Sequence, residues 1–209
     1  LPVLIIPILS RLIQPSEYGY FATFSAIITI MCIFSSGKFE ILLTSFKSKN
    51  TKITIIMVSM IFAIAFAFIG FIISHVYLVL GIENFNAFHL NSFLVSFLVG
   101  AIIFLYTMNQ VMIGYMTSIG IFNKLSMSRL IAGICIPASQ LCFCIISPTF
   151  INLLLGTATG YVVSLSYQLI TIPLKTRYRL ISKSISHGGY ILIKNYWVKN
   201  ISAAITDSV

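Results

Sequence analysis

Residues able to do acid–base or metal chemistry are few and widely spaced in this sequence. Its 209 residues include four acidic residues, three histidines and four cysteines, and every cysteine lies inside an apolar block. No cysteine or histidine spacing matches a metal site. Nucleotide-binding, serine-hydrolase and zinc-protease motifs are also absent from the sequence. We therefore expect a protein that is not an enzyme and that holds neither a metal nor a cofactor.

The composition indicates a membrane protein. Hydrophobic residues make up 58% and charged residues 8% of the sequence, and the mean hydropathy is +1.03. A soluble domain carries roughly 25% charged residues, which it needs to cover its surface. The net charge of +9 would suit nucleic acid in a soluble protein, but here the charges stand between apolar blocks. We therefore expect the lipid bilayer, and not nucleic acid, as a partner.

Charge-free stretches predict an all-α integral membrane protein with a six-helix transmembrane bundle, since a span needs about 20 apolar residues. The stretch from Leu130 to Leu174 is too long for one span, and we expect Ser147-Pro148 to divide it. Residues 184–209 mix aromatic residues with lysine, which predicts an interfacial segment and the start of an incomplete second lobe. The predicted spans lie in one lobe of residues 1–183 and cover residues 1–10, 18–37, 53–80, 91–115, 130–147 and 150–174.

The basic residues lie mostly on one side of this topology. Eleven of the thirteen fall in the predicted loop of residues 47–52, in the loop around Lys124 and Arg129, or after the sixth span from Lys175 onward, and Lys38 lies at or inside the membrane edge. The opposite side has only Arg11, together with Glu17 and Glu83. Because basic loops stay in the cytoplasm, we expect the basic side and the N-terminus to be cytoplasmic.

Polar and small residues fall on one face in four of the predicted spans, at 100° per residue. Lipid cannot satisfy polar groups, so these faces are expected to turn inward. Packing through small residues, as in Gly156-x-x-x-Gly160, is one explanation, and a solvated cavity is the other. The amides of Gln110, Gln140 and Gln168 favour the cavity, because they are too large for a tight helix contact. Ser164 shares the polar face of Gln168.

Lys38 and Glu40 are the most informative charges. On a continuous helix, two residues so spaced point about 160° apart, so an ion pair on one face is not expected. Glu40 continues the polar face of the second span, whereas Lys38 departs from it. Both residues lie either at the cytoplasmic edge, where Lys38 reaches the interface, or inside the membrane with a functional role.

Two segments resemble a known family. The first reads Leu1-Pro-Val-Leu-Ile-Ile-Pro-Ile-Leu-Ser-Arg-Leu-Ile-Gln-Pro-Ser-Glu-Tyr-Gly-Tyr-Phe-Ala, and the second reads Ser36-Gly-Lys-Phe-Glu-Ile-Leu-Leu-Thr-Ser-Phe-Lys47. Both resemble the start of bacterial polysaccharide-biosynthesis flippases of the O-antigen type. That family belongs to the superfamily that also holds the MATE exporters. The resemblance is specific over residues 1–50 and looser beyond them.

The resemblance implies a two-lobe transporter, of which this chain would be the N-terminal lobe. It further implies a bacterial inner membrane location and an undecaprenyl-diphosphate-linked oligosaccharide as substrate, moved by alternating access for O-antigen or capsule assembly. Other polysaccharide-assembly proteins would be further partners. Such a substrate needs cations for its diphosphate and hydrogen-bonding groups for its sugars. The candidate cavity-lining residues are Arg11, Lys38, Glu40, Gln110, Lys124, Gln140, Ser164 and Gln168, with Arg129 and Lys175 as further cations.

Three alternatives stay open. A cation-coupled drug or metabolite antiporter of the same superfamily would need an intramembrane acid, for which Glu40 and Asp207 are the candidates. The second alternative is that the chain is an inactive truncated fragment. A membrane enzyme of glycan assembly is the third alternative, but the predicted loops contain no large segment rich in arginine or histidine.

Overall fold

Long helices account for nearly all of the part of the chain that can be described. A computed structural model describes residues 9, 11–46, 48–81 and 92–172. These ranges contain no strand, and their helices are α1 (Pro15–Ser36), α2 (Phe39–Ser45), α3 (Lys49–Gly81), α4 (Ser92–Ile119), α5 (Phe122–Ile146) and α6 (Phe150–Thr171).

Five stretches of the described chain are long and apolar enough to cross a bilayer, which makes this an all-α, multi-pass membrane protein. α1 and α2 together form one of them, Pro15–Ser45, and each later helix supplies one. The first predicted span, residues 1–10, lies outside the described residues except for Leu9. The basic cluster from Lys175 and residues 184–209 also lie outside them. The count of six spans therefore remains a prediction.

The start of α5 differs from the prediction. We expected the span to begin at residue 130, with Lys124 and Arg129 in a loop, but both lie within α5. The turn before it is only Gly120 and Ile121. Gly120 has φ 81°, and the N–H of Ile121 donates to the carbonyl of Met116 at 3.2 Å. This glycine ends α4, and long basic side chains in the first turns of the next helix can reach toward the headgroups.

α4 lies at the centre of the bundle. It contacts every other helix, while α3 packs along α4 and α5 packs along α6. Apolar side chains of α1, α4 and α6 form one core cluster, in which the rings of Phe24 and Phe150 stack with centroids 5.7 Å apart. Val99 and Ile103 of α4 are fully buried against them. α4 is thus the helix against which the others are positioned.

Polar contacts at both ends of the bundle show that the helices alternate in direction. At one end, the Glu17 carboxylate in α1 accepts a hydrogen bond from the backbone N–H of Phe150, the first residue of α6. At the other end, the Lys52 ammonium in α3 donates to the carbonyl of Ser118 in the last turn of α4, at 2.9 Å. The starts of α1 and α6 therefore share one side, and the start of α3 and the end of α4 share the other.

Candidate functional site

A cavity of about 500 Å³ lies between α1, α4, α5 and α6. Its wall combines neutral amides, tyrosines, one cation and apolar side chains, so it suits a ligand with both polar and apolar parts. The lining residues are Leu9, Tyr18, Phe21, Tyr106, Asn109, Gln110, Ile113, Arg129, Ala132, Gly133, Ile136, Pro137, Gln140, Leu153 and Tyr161.

One face of α5 forms the longest side of the cavity. Its lining residues recur three and four positions apart from Arg129 to Gln140, which is the spacing of a single helix face. At 1.5 Å per residue these two residues are about 16 Å apart along the axis. Arg129 is the only charged side chain among the described residues of the wall, so the cavity has a cationic end and a neutral end.

Pro137 leaves a backbone acceptor free in this wall. Proline has no N–H, so the carbonyl of Gly133, four residues earlier, lacks the hydrogen bond that a helix normally gives it. Gly133 also lines the cavity, and a Cβ atom added there would meet nothing within 4 Å. This part of the wall therefore offers an open space beside a carbonyl that lacks its usual helical donor.

Behind the wall, polar side chains of α4, α5 and α6 meet in a buried cluster. The Gln168 amide nitrogen donates to Asn109 Oδ1 at 2.8 Å and to Ser128 Oγ at 2.7 Å. Ser128 and Ser164 have their hydroxyl oxygens 3.4 Å apart. We call these four residues the polar junction. Asn109 belongs both to the junction and to the cavity wall, so the two are adjacent.

A second, smaller cavity of about 160 Å³ adjoins α1 and is lined in part by Thr29, Cys32 and Ser36 of its polar face. Tyr106 and Tyr161 line both cavities, and their rings meet edge to face with centroids 5.6 Å apart. The polar face of α1 therefore borders this smaller cavity, and Tyr106 and Tyr161 separate it from the larger one.

Close packing accounts for another part of the polar faces. A Cβ atom at Gly156 would lie 2.6 Å from the Cα of Gln140, and one at Gly160 would lie 2.7 Å from the Cα of Ile136. The predicted close approach at Gly156-x-x-x-Gly160 is therefore confirmed, and α5 is the partner helix. Gln140 still reaches the cavity, and its Nε2 donates to Thr157 Oγ1 at 3.0 Å. Both explanations of the polar faces hold, on neighbouring parts of the same helices.

The expected geometry of Lys38 and Glu40 was wrong, because the helix does not continue through them. Gly37 and Lys38 have φ of 47° and 55°, in the left-handed region, and separate α1 from α2. Glu40 then lies against α4, where a Cβ atom at Gly114 would be 2.5 Å from the Cα of Glu40. Its Oε2 is buried without a hydrogen-bond partner among the described residues.

The predicted site residues separate into three groups. Gln110 and Gln140 line the larger cavity, whereas Ser164 and Gln168 lie in the junction behind it. Arg11 and Lys124 are exposed and line neither cavity described here, and Lys38 and Glu40 also lie outside both linings.

Sequence reasoning missed several residues of the site. Asn109 has the clearest signal, because an amide in the middle of an apolar span is uncommon. Tyr106 and Tyr161 gave no such signal in the sequence, since aromatic residues are also common in the apolar parts of this chain. Arg129 was among the further cations but was assigned to a loop, and the early start of α5 brings it to the wall.

Comparisons with protein-family models, with curated proteins and with solved structures found no match for this chain.

Proposed function

We propose that this chain forms one helical lobe of a flippase. It moves an undecaprenyl-diphosphate-linked oligosaccharide across the bacterial inner membrane by alternating access, for O-antigen or capsular polysaccharide assembly. Its N-terminus lies on the cytoplasmic side, and other polysaccharide-assembly proteins are its partners. The observation that carries the proposal is the cavity between the helices, which has one cation at one end and neutral hydrogen-bonding groups along the rest of its described wall.

Arg129 supports a substrate with an anionic group. It lies seven residues into α5, about 10 Å from the start of the helix. An arginine can bind two phosphate oxygens at once through its planar guanidinium. A diphosphate entering from the side where α5 begins would meet this guanidinium within the cavity.

The remaining wall suits the neutral sugars. Gln110 and Gln140 supply amides that both donate and accept hydrogen bonds, and Tyr18 and Tyr106 add hydroxyls and ring faces. Apart from Arg129, the described part of the wall has no charged side chain, so it can accept a neutral, hydroxyl-rich group without burying an uncompensated charge.

Export by the full-length protein in a flippase-null bacterial strain tests the proposal. With equal expression, Arg129→Gln should lower surface polysaccharide by more than about tenfold, because the charged contact between the cavity wall and the diphosphate is lost. Arg129→Lys should retain part of the export, since it keeps the charge without the planar guanidinium. Lys124→Gln is the matched control, because Lys124 is an exposed basic residue of the same helix, as Arg129 is, but does not line the cavity. Wild-type export by Arg129→Gln would refute the role assigned to the cavity.

One observation favours a second candidate, a cation-coupled drug or metabolite antiporter. Glu40 lies in the candidate span Pro15–Ser45, and its Oε2 is buried without a hydrogen-bond partner in the described chain. Ionisable groups inside membrane spans commonly bind a proton or an ion during transport.

Proton release from inverted membrane vesicles distinguishes the two candidates. An antiporter should release lumenal protons when an organic cation such as ethidium is added, and Glu40→Gln should abolish the release. A flippase in the same vesicles should give no response to ethidium. In the null strain the expected results are reversed: a flippase should restore polysaccharide export, and an antiporter should not.

A further inference from the structure

The polar junction of Asn109, Ser128, Ser164 and Gln168 leaves two buried atoms without a partner. Gln168 is 0% and Asn109 is 4% exposed. Within the described chain, the amide nitrogen of Asn109 and the amide oxygen of Gln168 have no hydrogen-bond partner. A buried amide atom is rarely left unpaired, because its desolvation is not compensated. One donor and one acceptor are thus free on two side chains that already contact each other.

Each of the two hydrogen-bonded arrangements of these amides leaves one donor and one acceptor free. If both amides were turned over, Asn109 would donate to Gln168, and the Ser128 hydroxyl would also donate to Gln168. The free atoms would then be the Asn109 oxygen and the Gln168 nitrogen. Turning over only one amide would place two donors or two acceptors against each other.

We propose that Asn109 and Gln168 form a binding site for one hydroxyl group. A hydroxyl donates one hydrogen bond and accepts others, so it can satisfy both free atoms at once. The other polar side chains of the junction, Ser128 and Ser164, are neutral and fully buried. A charged group would have no counter-charge within the junction. The occupant is therefore a water molecule or a hydroxyl of a larger neutral ligand, and the two share the same chemistry.

The larger cavity supplies the route to this site. Asn109 is part of the wall of the 500 Å³ cavity, while the free atoms lie buried behind the wall. Access from the cavity to the free atoms therefore requires the Asn109 side chain to move. A hydroxyl that reaches the wall can then bridge α4 and α6. These contacts do not depend on which substrate the protein moves.

Nuclear magnetic resonance of the chain in lipid nanodiscs tests the site, with ¹⁵N in the asparagine and glutamine side chains. The resonances of the two amides are identified by their loss in Asn109→Leu and Gln168→Leu. We expect a magnetisation-transfer cross-peak from water to the amide protons of Asn109 or Gln168 in the unaltered chain. Gln168→Leu should remove this cross-peak from Asn109. Asn123→Leu should leave it unchanged, because Asn123 is exposed at the start of α5.

Addition of glycerol distinguishes the two sources of the hydroxyl. Replacement of the water cross-peak by one from glycerol shows that the site accepts a ligand hydroxyl from the cavity, whereas an unchanged water cross-peak shows that it holds water. The absence of any cross-peak from water or glycerol in the unaltered chain would overturn the proposal. A cross-peak on Asn109 that persists at full intensity in Gln168→Leu would overturn it too.

Discussion

The Glu17 carboxylate accepts a hydrogen bond from the backbone N–H of Phe150 at 2.8 Å, across 133 residues of sequence. Glu17 is only 5% exposed, and its charge lies at the positive end of the α6 dipole. Within a span-forming bundle this contact satisfies a backbone donor that the start of a helix leaves free.

Replacement of Glu17 should therefore destabilise the bundle. Glu17→Ala removes both the acceptor and the charge, and we expect a loss of about 1–3 kcal/mol in the free energy of unfolding. Glu17→Gln keeps an acceptor and should lose less. Ser16→Ala is the control, since Ser16 is exposed one residue away. Urea unfolding in detergent micelles measures the difference, and equal stability of Glu17→Ala and Ser16→Ala would contradict the role of this contact.

Lys52 should act in a similar way at the opposite end. Its ammonium group is bonded to the carbonyl of Ser118, where the α4 dipole is negative. Lys52→Met keeps most of the side-chain volume and should lower the free energy of unfolding by about 1–2 kcal/mol. Lys124→Met, at an exposed position in α5, should change stability by less than about 0.5 kcal/mol. Indistinguishable unfolding curves for the two variants would argue against the Lys52 contact.

Two glycines in helix interiors should respond oppositely to alanine. At Gly156 a Cβ atom would lie 2.6 Å from the backbone of Gln140, so Gly156→Ala must push α5 and α6 apart. We expect a loss of about 1–3 kcal/mol from this overpacking. Gly19 has nothing within 4 Å of such an atom, and Gly19→Ala should gain up to about 1 kcal/mol of helix stability. Thermal unfolding of both variants in the same detergent gives the comparison, and a shift of the same sign in both would contradict the packing.

The topology predicts opposite accessibility for Gln14 and Lys124. Gln14 lies just before α1, on the side of the Glu17 contact, and Lys124 lies in the first turn of α5, beside the end of α4. In a variant without native cysteines, a membrane-impermeant maleimide added to intact inner-membrane spheroplasts should label Gln14→Cys but not Lys124→Cys. The basic residues place the second position in the cytoplasm. Labelling of Lys124→Cys alone would reverse the orientation, and labelling of both would refute the alternation.

The helices were predictable because the bilayer imposes a local rule. Apolar runs such as the one that became α3 had to be helical to satisfy their own backbone groups. The start of α5 was not predictable from charge, because Lys124 and Arg129 can extend along the helix toward the headgroups. The local signal was Gly120, whose left-handed conformation ends α4.

The candidate site was predicted in part, and the reason lies in α4. Gln110 and Gln140 were found because each lies on the one polar face that periodicity picks out in its helix. Asn109 was missed because α4 contacts every other helix, so a residue next to Gln110 in sequence can meet a different buried neighbour, here Gln168. The contact of Glu17 with Phe150 joins distant residues, and no local pattern encodes it.

The helical hydrogen bond that Pro137 cannot donate to the carbonyl of Gly133 also has a mechanical consequence. Bending most helices requires that hydrogen bonds lengthen or break, but at Pro137 one of these bonds is already missing. α5 is therefore less stiff at Pro137 than along the rest of its length. This weak point lies between Arg129 at one end of the cavity wall and Gln140 at the other.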